Sequence, residues 1–192
     1  PTRLTPYRSL EADTNDGSTS TGMKQYSNGE TYIGQWRDGR KEGKGEYLWP
    51  NGDRYTGEFT NNKKEGIGCK EWNNGCKYEG EWEDDTMHGF GEFTWPEGDV
   101  YIGSYVRGLR EGKGTKKWAS GTEYTGDWIA DKRTGDGTIK YNDGREYVGG
   151  FRDGKKHGVG KEKTLEGWIS GEWVDGKLLT PQQQPLSKPA DN

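Results

Sequence analysis

The chain has 192 residues, and its 28 basic and 32 acidic side chains give a net charge of −4. These charges are interleaved along the chain, which excludes the clustered basic surface typical of proteins that bind duplex nucleic acid. Hydrophobic residues make up only 27% of the chain, yet aromatic residues reach 12% and there are 33 glycines. Disordered chains are poor in aromatic residues, whereas a deep core needs more Ile, Val and Leu. We therefore predict a thin folded structure.

Residues 1–21 are polar and irregular, and we predict a flexible N-terminal arm there. A repeat array is predicted for residues 22–177, with about six full repeats and atypical ends. Its unit is seen in the stretch YIGQWRDGRKEGKG at residues 32–45. Both the opening Tyr-x-Gly-x-aromatic and the closing Gly-x-Gly return every 23 residues without insertion. Such a regular period indicates that function is carried by a repeated surface.

Each period contains two short strands. In the first strand Tyr32, Gly34 and Trp36 share one face, because side chains alternate along a strand. The second strand follows the Gly-x-Gly pair and ends in an aromatic residue, so that Gly45 and Trp49 share a face. Glycine within a strand often marks the close approach of a neighbour. We therefore expect an aromatic ring of the adjacent strand to lie over it.

Two kinds of turn join the strands. One carries an x-Gly pair, as at Asn28-Gly29. The other has Gly, Asn or Asp at one fixed position, which predicts a left-handed backbone there; its residues are Gly39, Asn62, Asp85, Gly108, Asp131 and Gly154. Two strands with turns at both ends form a hairpin. The sequence thus predicts an all-β fold, an elongated single-layer antiparallel meander of tandem hairpins with about 14 strands.

The end of the array departs from the pattern. Trp173 arrives one residue early, and Ile169 stands where a tyrosine is expected. This slip is typical of an atypical terminal repeat. Residues 178–192 are rich in Pro and Gln, and we predict a flexible tail there.

The motifs YIGQW…KEGKG, YEGEW…MHGFG and YVGGF…KHGVG resemble MORN (membrane occupation and recognition nexus) repeats. Departures are mild: Phe59, Tyr105 and Phe151 replace Trp, and Thr86-Met87 replaces the usual basic pair. The resemblance implies a sheet of hairpins with a grooved face. Choline-binding repeats have a similar Trp and Gly content, but they lack the Gly-x-Gly step.

The resemblance also implies a function. Members of this family serve as scaffolds in ciliary axonemes, radial spoke heads among them, at cortical cytoskeletal structures and at membrane junctions. We therefore expect a cytoplasmic, cytoskeleton-associated scaffold, with a cilium or flagellum axoneme as its first location. Its expected partners are other proteins and not nucleic acid.

No catalytic constellation is apparent. The Gly-x-Gly pairs lack the third glycine of a dinucleotide fingerprint. His88 and His157 lie three repeats apart, too far to share a metal ion. Cys69 and Cys76 are off the pattern, which favours reduced thiols over a disulfide. We predict no catalytic residue, no metal site and no cofactor, and hence no enzyme.

Two repeated surfaces are candidates for function. The first is an aromatic face, and its residues are Tyr32, Trp36, Tyr55, Phe59, Tyr78, Trp82, Tyr101, Tyr105, Tyr124, Trp128, Tyr147 and Phe151. In one interpretation these rings only shield one another over the glycines. In the other they form a water-facing groove that binds a helix, an extended peptide or a second copy of the chain, since exposed apolar patches mark interaction sites.

The second surface is a row of basic pairs on one turn edge, formed by Arg40, Lys41, Lys63, Lys64, Lys132, Arg133, Lys155 and Lys156. As a contact for anionic lipid it predicts an alternative function, a peripheral membrane adaptor. Because Thr86-Met87 interrupts the row and the chain is net acidic, the interpretation that we favour is a solvated edge that keeps sheets apart. A third hypothesis is a regulatory piece of a larger enzyme.

Overall fold

The computed structural model describes residues 19–182. Most of the predicted N-terminal arm, residues 1–18, lies outside the described residues, whereas Thr19–Thr21 open the first strand. Of the predicted tail, residues 183–192 also lie outside them. The last strand, Lys177–Gln182, extends into the segment that the sequence assigned to the tail.

The chain divides into two compact units, one ending at Gly108 and one beginning at Leu109. The strands of the first unit are β1 Thr19–Gln25, β2 Thr31–Arg37, β3 Arg40–Leu48, β4 Arg54–Thr60, β5 Lys63–Glu71, β6 Lys77–Glu83, β7 Thr86–Thr94 and β8 Val100–Val106. The strands of the second unit are β9 Leu109–Lys117, β10 Glu123–Ile129, β11 Lys132–Lys140, β12 Glu146–Arg152, β13 Lys155–Thr164, β14 Gly167–Val174 and β15 Lys177–Gln182.

Within each unit, strands that follow one another in the chain pair antiparallel. This confirms the predicted all-β meander of tandem hairpins. One strand more than predicted is present, because β15 pairs with β14 in spite of Pro181.

The turns have the predicted left-handed backbone. Asn62 and Asp85 have φ of 71° and 66°, and Gly39 has 69°. The preceding residue is left-handed as well, as shown by Asp38 at 49° and Asn61 at 50°. Two successive positive φ angles define the type I′ turn, whose twist matches that of the flanking strands.

A β-bulge in the complete hairpins explains the first glycine of Gly-x-Gly. In the first hairpin the register shifts between Gly34 and Trp36, and the facing Gly43 has φ 66°. A bulge leaves a backbone amide without its ladder partner. Here the Oε1 of Gln35 accepts that bond from the Lys44 amide at 2.7 Å. The first glycine is therefore required by backbone conformation.

The second glycine is required for space. A Cβ placed on Gly68 would lie 2.5 Å from Cζ of Tyr55, and one on Gly91 would lie 2.6 Å from Cζ of Tyr78. The opening tyrosine of each of these hairpins thus lies flat over the glycine of the next strand, as the sequence predicted.

Candidate interaction face

One face of each unit carries the opening tyrosines and the aromatic residue four positions later. We call these rings the ring row. In the first unit they are Trp36, Tyr32, Phe59, Tyr55, Trp82, Tyr78, Tyr105 and Tyr101, and in the second unit they are Trp128, Tyr124, Phe151, Tyr147 and Trp173.

The ring row is buried. Eleven of the twelve residues predicted to line a water-facing groove are in the core, and only Trp36 is half-buried. The prediction that these side chains face water is therefore wrong for eleven of them. Their burial matches the interpretation in which the rings shield one another.

Edge-to-face stacking explains this burial. Phe59 meets both Tyr32 and Tyr55, with ring centroids 5.0 and 5.2 Å apart and interplanar angles of 83° and 86°. Trp82 meets Tyr55 and Tyr78 in the same way, at 5.2 and 5.3 Å. This T-shaped arrangement is favoured by the ring quadrupoles. Phe59 and Trp82 are thus each enclosed by the tyrosine of their own hairpin and the tyrosine of the preceding hairpin.

The same pattern holds in the second unit. Phe151 contacts Tyr124 and Tyr147 at 5.0 and 5.3 Å, with interplanar angles of 77° and 87°. Tyr147 then contacts Trp173 at 5.0 Å. The early tryptophan of the atypical last repeat therefore closes the ring row.

The hydroxyls of the opening tyrosines are hydrogen-bonded. The hydroxyls of Tyr32, Tyr55 and Tyr78 donate to the carbonyl three residues later at 2.9 to 3.0 Å. The indole N–H of Trp82 donates to the carbonyl of Gly68 at 3.1 Å. Burial raises the pKa of Tyr32 to about 12, because the charged phenolate is disfavoured away from water.

The predicted basic pairs do not form one edge. Arg40 and Lys41 are consecutive residues of β3, and their side chains therefore point to opposite faces. Arg40 donates outward to Asn61 Oδ1 at 2.9 Å. Lys41 lies on the aromatic face, with Nζ 4.3 Å from the centroid of Tyr47.

The second member of each pair covers the ring row, and so does Arg110, which occupies the same position of its repeat but belongs to no predicted pair. We call these groups the covering cations: Lys41, Lys64, Arg110, Arg133 and Lys156. Lys64 lies 5.1 Å from the centroid of Trp82, and Lys156 lies 4.8 Å from that of Tyr147. A cation within about 6 Å of a ring centroid is attracted by the ring. The two surfaces that the sequence treated as separate are thus partly one.

The first members of the pairs stay on the turn edge, and two of them have acidic partners. Lys63 contacts Asp84 at 2.7 Å, and Lys132 contacts Asp153 at 3.1 Å. Lys155 is exposed. A row interrupted by amide and carboxylate partners offers less free positive charge to a membrane surface than the sequence suggested.

Lys41 and Arg133 differ from the other three covering cations, which form ion pairs. Lys64 pairs with Asp85 at 3.3 Å, Arg110 with Asp131 at 2.8 Å, and Lys156 with Glu162 at 2.6 Å. None of the ion pairs among residues 19–182 involves Lys41 or Arg133. Burial lowers the pKa of both groups, because the charged form loses hydration.

A second line of aromatic side chains remains half-exposed on the same face. We call it the outer aromatic row: Trp49, Trp72 and Trp95 in the first unit, and Trp118 and Tyr141 in the second. Lys70 lies within it, with Nζ 3.2 Å from the centroid of Trp49 and 3.3 Å from Asp53 Oδ2. These residues were not among the candidate site residues predicted from the sequence. Their position at the end of a strand, next to a turn, was the sequence signal that could have predicted their partial exposure.

The histidines and cysteines show no shared site. His88 Nδ1 lies 2.9 Å from Glu83 Oε2. Cys69 and Cys76 are free, and burial raises the pKa of the Cys69 thiol, which disfavours the thiolate nucleophile. Within the described part of the chain, no group of three or more His, Cys, Asp or Glu side chains could bind a metal ion. Over the same residues, no helix is long and apolar enough to span a membrane.

The comparison with solved structures finds similar chains at low sequence identity. The SAS-4 TCP domain of Drosophila melanogaster, solved with a proline-rich motif of Ana2, is 14% identical over 87% of this chain and 94% of its own, with a TM-score of 0.42. The TCP10 domain of Danio rerio CPAP is 14% identical over 92% of this chain and 94% of its own, with a TM-score of 0.30. Likeness at this level says nothing about the partners of this chain. The comparison with curated proteins gives no match.

The family model for the MORN repeat matches six times, and the matches together span more than half of the chain. They cover residues 32–54, 55–77, 78–100, 101–123, 124–144 and 147–163. Their spacing follows the hairpins described above. The chain therefore belongs to the MORN-repeat family, whose members are generally scaffolds rather than enzymes.

Proposed function

We propose that this protein is a non-catalytic scaffold that binds other proteins along the aromatic face, through the outer aromatic row and the covering cations. The observation that carries this proposal is the half-exposure of Trp49, Trp72 and Trp95 on a face whose ring row is buried. Partly exposed tryptophan is favoured at binding hot spots. In this proposal the twelve predicted groove residues act as a rigid support, and the outer aromatic row makes the contact.

The cations define the chemistry of the partner. In the first unit Lys41 lies on this face without a carboxylate partner among the described residues, next to Lys64. In the second unit the same holds for Arg133, next to Lys156. An acidic group on a partner would compensate the hydration that these side chains lose, because its opposite charge favours their charged form, and apolar groups would cover the tryptophans. The expected partner segment is therefore an extended peptide or a helix that carries both acidic and apolar side chains.

The proposed setting is a cytoskeletal assembly, first of all a ciliary or flagellar axoneme of the radial-spoke-head type. It is supported by the family, whose members include axonemal scaffolds.

The test is fractionation of the tagged protein from ciliated cells. The wild-type chain is expected to stay in the detergent-insoluble pellet. A Trp72→Ala/Trp95→Ala variant should be released. The matched control is Ile67→Ala/Phe90→Ala, which removes side chains that are 58% and 59% exposed on the opposite face. Release of both variants alike, or of neither, would contradict the proposed face.

Salt alone does not separate a protein partner from a lipid, because cations and aromatic groups share the face. Flotation with vesicles of anionic phospholipid does separate them. The scaffold proposal expects no flotation of the purified chain. Flotation that Lys63→Glu/Lys64→Glu abolishes, together with release from the pellet by detergent, would instead support the membrane adaptor.

A further inference from the structure

The ring row is open at its N-terminal end. Trp36 stacks on Tyr32 at 4.9 Å, whereas Phe59 and Trp82 each stack on two tyrosines. In the register of the repeat, the second tyrosine would come from a strand beyond β1. At the other end of the chain, Trp173 is only 1% exposed. Trp36 therefore has one edge uncovered among residues 19–182.

An unfilled position lies beside Trp36. Gly22 of β1 is equivalent to Gly45, Gly68 and Gly91, each of which lies beneath a tyrosine ring. Apart from its two chain neighbours, the only heavy atom of residues 19–182 within 4 Å of a Cβ placed on Gly22 is Nε1 of Trp36, at 3.9 Å. No side chain of these residues therefore fills the position that a tyrosine fills in the following hairpins. Its remaining side is formed by Lys24, whose Nζ lies 5.9 Å from the centroid of Trp36.

The backbone beside this position is also unpaired. β1 pairs with β2 on one side, and no other strand among the described residues pairs with it. The free edge of a strand is a template for an added strand. β1 contains no proline, whereas β15, at the other end of the chain, contains Pro181, which has no amide hydrogen to donate.

The chain itself does not carry the missing motif in register. One period before Tyr32 and Gly34 the sequence has Ser9 and Glu11. In addition, β1 corresponds to the second strand of a hairpin, and it has Ser20 at the position of the left-handed bulge glycine of the other second strands, for example Gly43. In the complete hairpins of the first unit this bulge lies between the two strands of one hairpin. β1 is therefore suited to pair with a separate, regular strand.

We propose that β1 binds an extended strand of a partner protein by antiparallel strand addition, with a tyrosine of that strand inserted over Gly22 and against Trp36. The partner strand carries glycine two residues after the tyrosine. In the repeat this glycine faces the second glycine of the next strand, as Gly57 faces Gly68. A Cβ placed on Gly57 would lie only 2.5 Å from the Cα of Gly68, so the close approach of the two strands requires glycine. The strand pairing is made at the sheet edge, and only the inserted tyrosine reaches the aromatic face, at the N-terminal end of the ring row.

The test uses the full chain and a fluorescein-labelled peptide with the sequence of residues 30–38, ETYIGQWRD, which contains the motif. Saturable binding by fluorescence anisotropy is expected. Replacing the tyrosine of the peptide by alanine should weaken binding by at least about tenfold, because the aromatic anchor is lost. Gly22→Leu in the protein should weaken binding similarly, since it fills the vacant position.

Met23→Leu is the matched control, because Met23 is the next residue of β1 and points to the opposite face. Its affinity is expected to equal that of the wild-type chain. Hydrogen exchange of the wild-type chain provides a second readout that needs no variant. The amides of β1 should become protected when the peptide is added, while those of β6 should not change. Absent binding, equal binding of the alanine peptide, or unchanged exchange in β1 would overturn the proposal.

Discussion

The ring row and the outer aromatic row are built from the same kinds of side chain on the same face of each unit, yet one is core and the other is half-exposed. The ring row lies on the first strand of each hairpin, and the outer aromatic row follows the second strand. Trp82 of the ring row is 6% exposed, and its indole donates to a carbonyl of the preceding strand. Trp72 lies at the end of β5, beside a turn, and remains half-buried. The comparison shows that burial in a single layer depends on neighbours along the face rather than on hydrophobicity.

Three contacts enclose the ring row. Glycines let each ring lie against the backbone, rings of adjacent hairpins meet edge to face, and the covering cations lie across the top. The outer aromatic row has fewer of these contacts, although Lys70 stacks on Trp49. A thin sheet with few aliphatic residues can therefore bury aromatic rings only along its middle.

The largest expected effect comes from breaking the ring row at one ring. Trp82→Ala should destabilise the chain by about 3–5 kcal/mol, because it removes a buried ring and leaves a cavity between Tyr55 and Tyr78. Trp72→Ala is the matched control from the outer aromatic row, with an expected loss of about 1 kcal/mol. Urea denaturation followed by circular dichroism measures both. Equal losses would show that the two rows do not differ.

A smaller loss of stability is expected when a glycine beneath the ring row is replaced by alanine. In Gly68→Ala the new Cβ would lie 2.5 Å from Cζ of Tyr55, so the ring must move, at a cost of about 1–3 kcal/mol. Gly22→Ala is the control at the equivalent but vacant position. It should be neutral or stabilising, since alanine is favoured over glycine in a strand by roughly 0.5–1 kcal/mol. The difference in urea midpoint is the measurement, and similar midpoints would argue against the ring-over-glycine packing.

Titration at high pH tests the burial of the ring row through its tyrosines. Burial raises the pKa of Tyr32 and of Tyr147 to about 12. Because the folded pKa lies above the unfolded value of about 10, the stabilisation from the neutral phenols is complete below pH 10 and is lost as pH rises through about 12. Unfolding and tyrosinate absorbance should therefore rise together over this range. Tyr147→Phe, which keeps the ring, should move the transition to higher pH. Full ionisation near pH 10 with the sheet intact would contradict the burial.

The smallest effects are expected for the covering cations. Lys41→Met should be neutral or slightly stabilising, because Lys41 is partly desolvated and Met87 occupies the equivalent position in another repeat. Lys64→Met should cost about 0.5–1 kcal/mol, since it removes the ion pair with Asp85. Thermal denaturation at low and high salt compares them. A loss for Lys41→Met as large as that for Lys64→Met would mean that cation–ring contact, rather than ion pairing, stabilises the face.

Much of the fold followed from the period. The 23-residue step gave the hairpins, the alternation of Tyr32, Gly34 and Trp36 gave the face, and Asn62 and Asp85 marked the left-handed turns. Each of these features depends on local backbone geometry, which a residue and its immediate neighbours decide. The separate positions of Arg40 and Lys41 also follow from strand alternation, which the interpretation of a single basic edge overlooked.

The remaining features involve contacts between strands. The bulge at Gly43 arises from the pairing of two strands within one hairpin. The stacking of Phe59 between two tyrosines and the contact of Lys64 with Trp82 join neighbouring hairpins. The strand at the start of the predicted tail is of the same kind, since β15 exists through its pairing with β14. By itself the sequence determined the repeat, its turns and which residues share a face, because these depend on period and φ angles. Only the tertiary structure decided which rings are buried, because in one layer the burial of a ring depends on what the next hairpin places beside it.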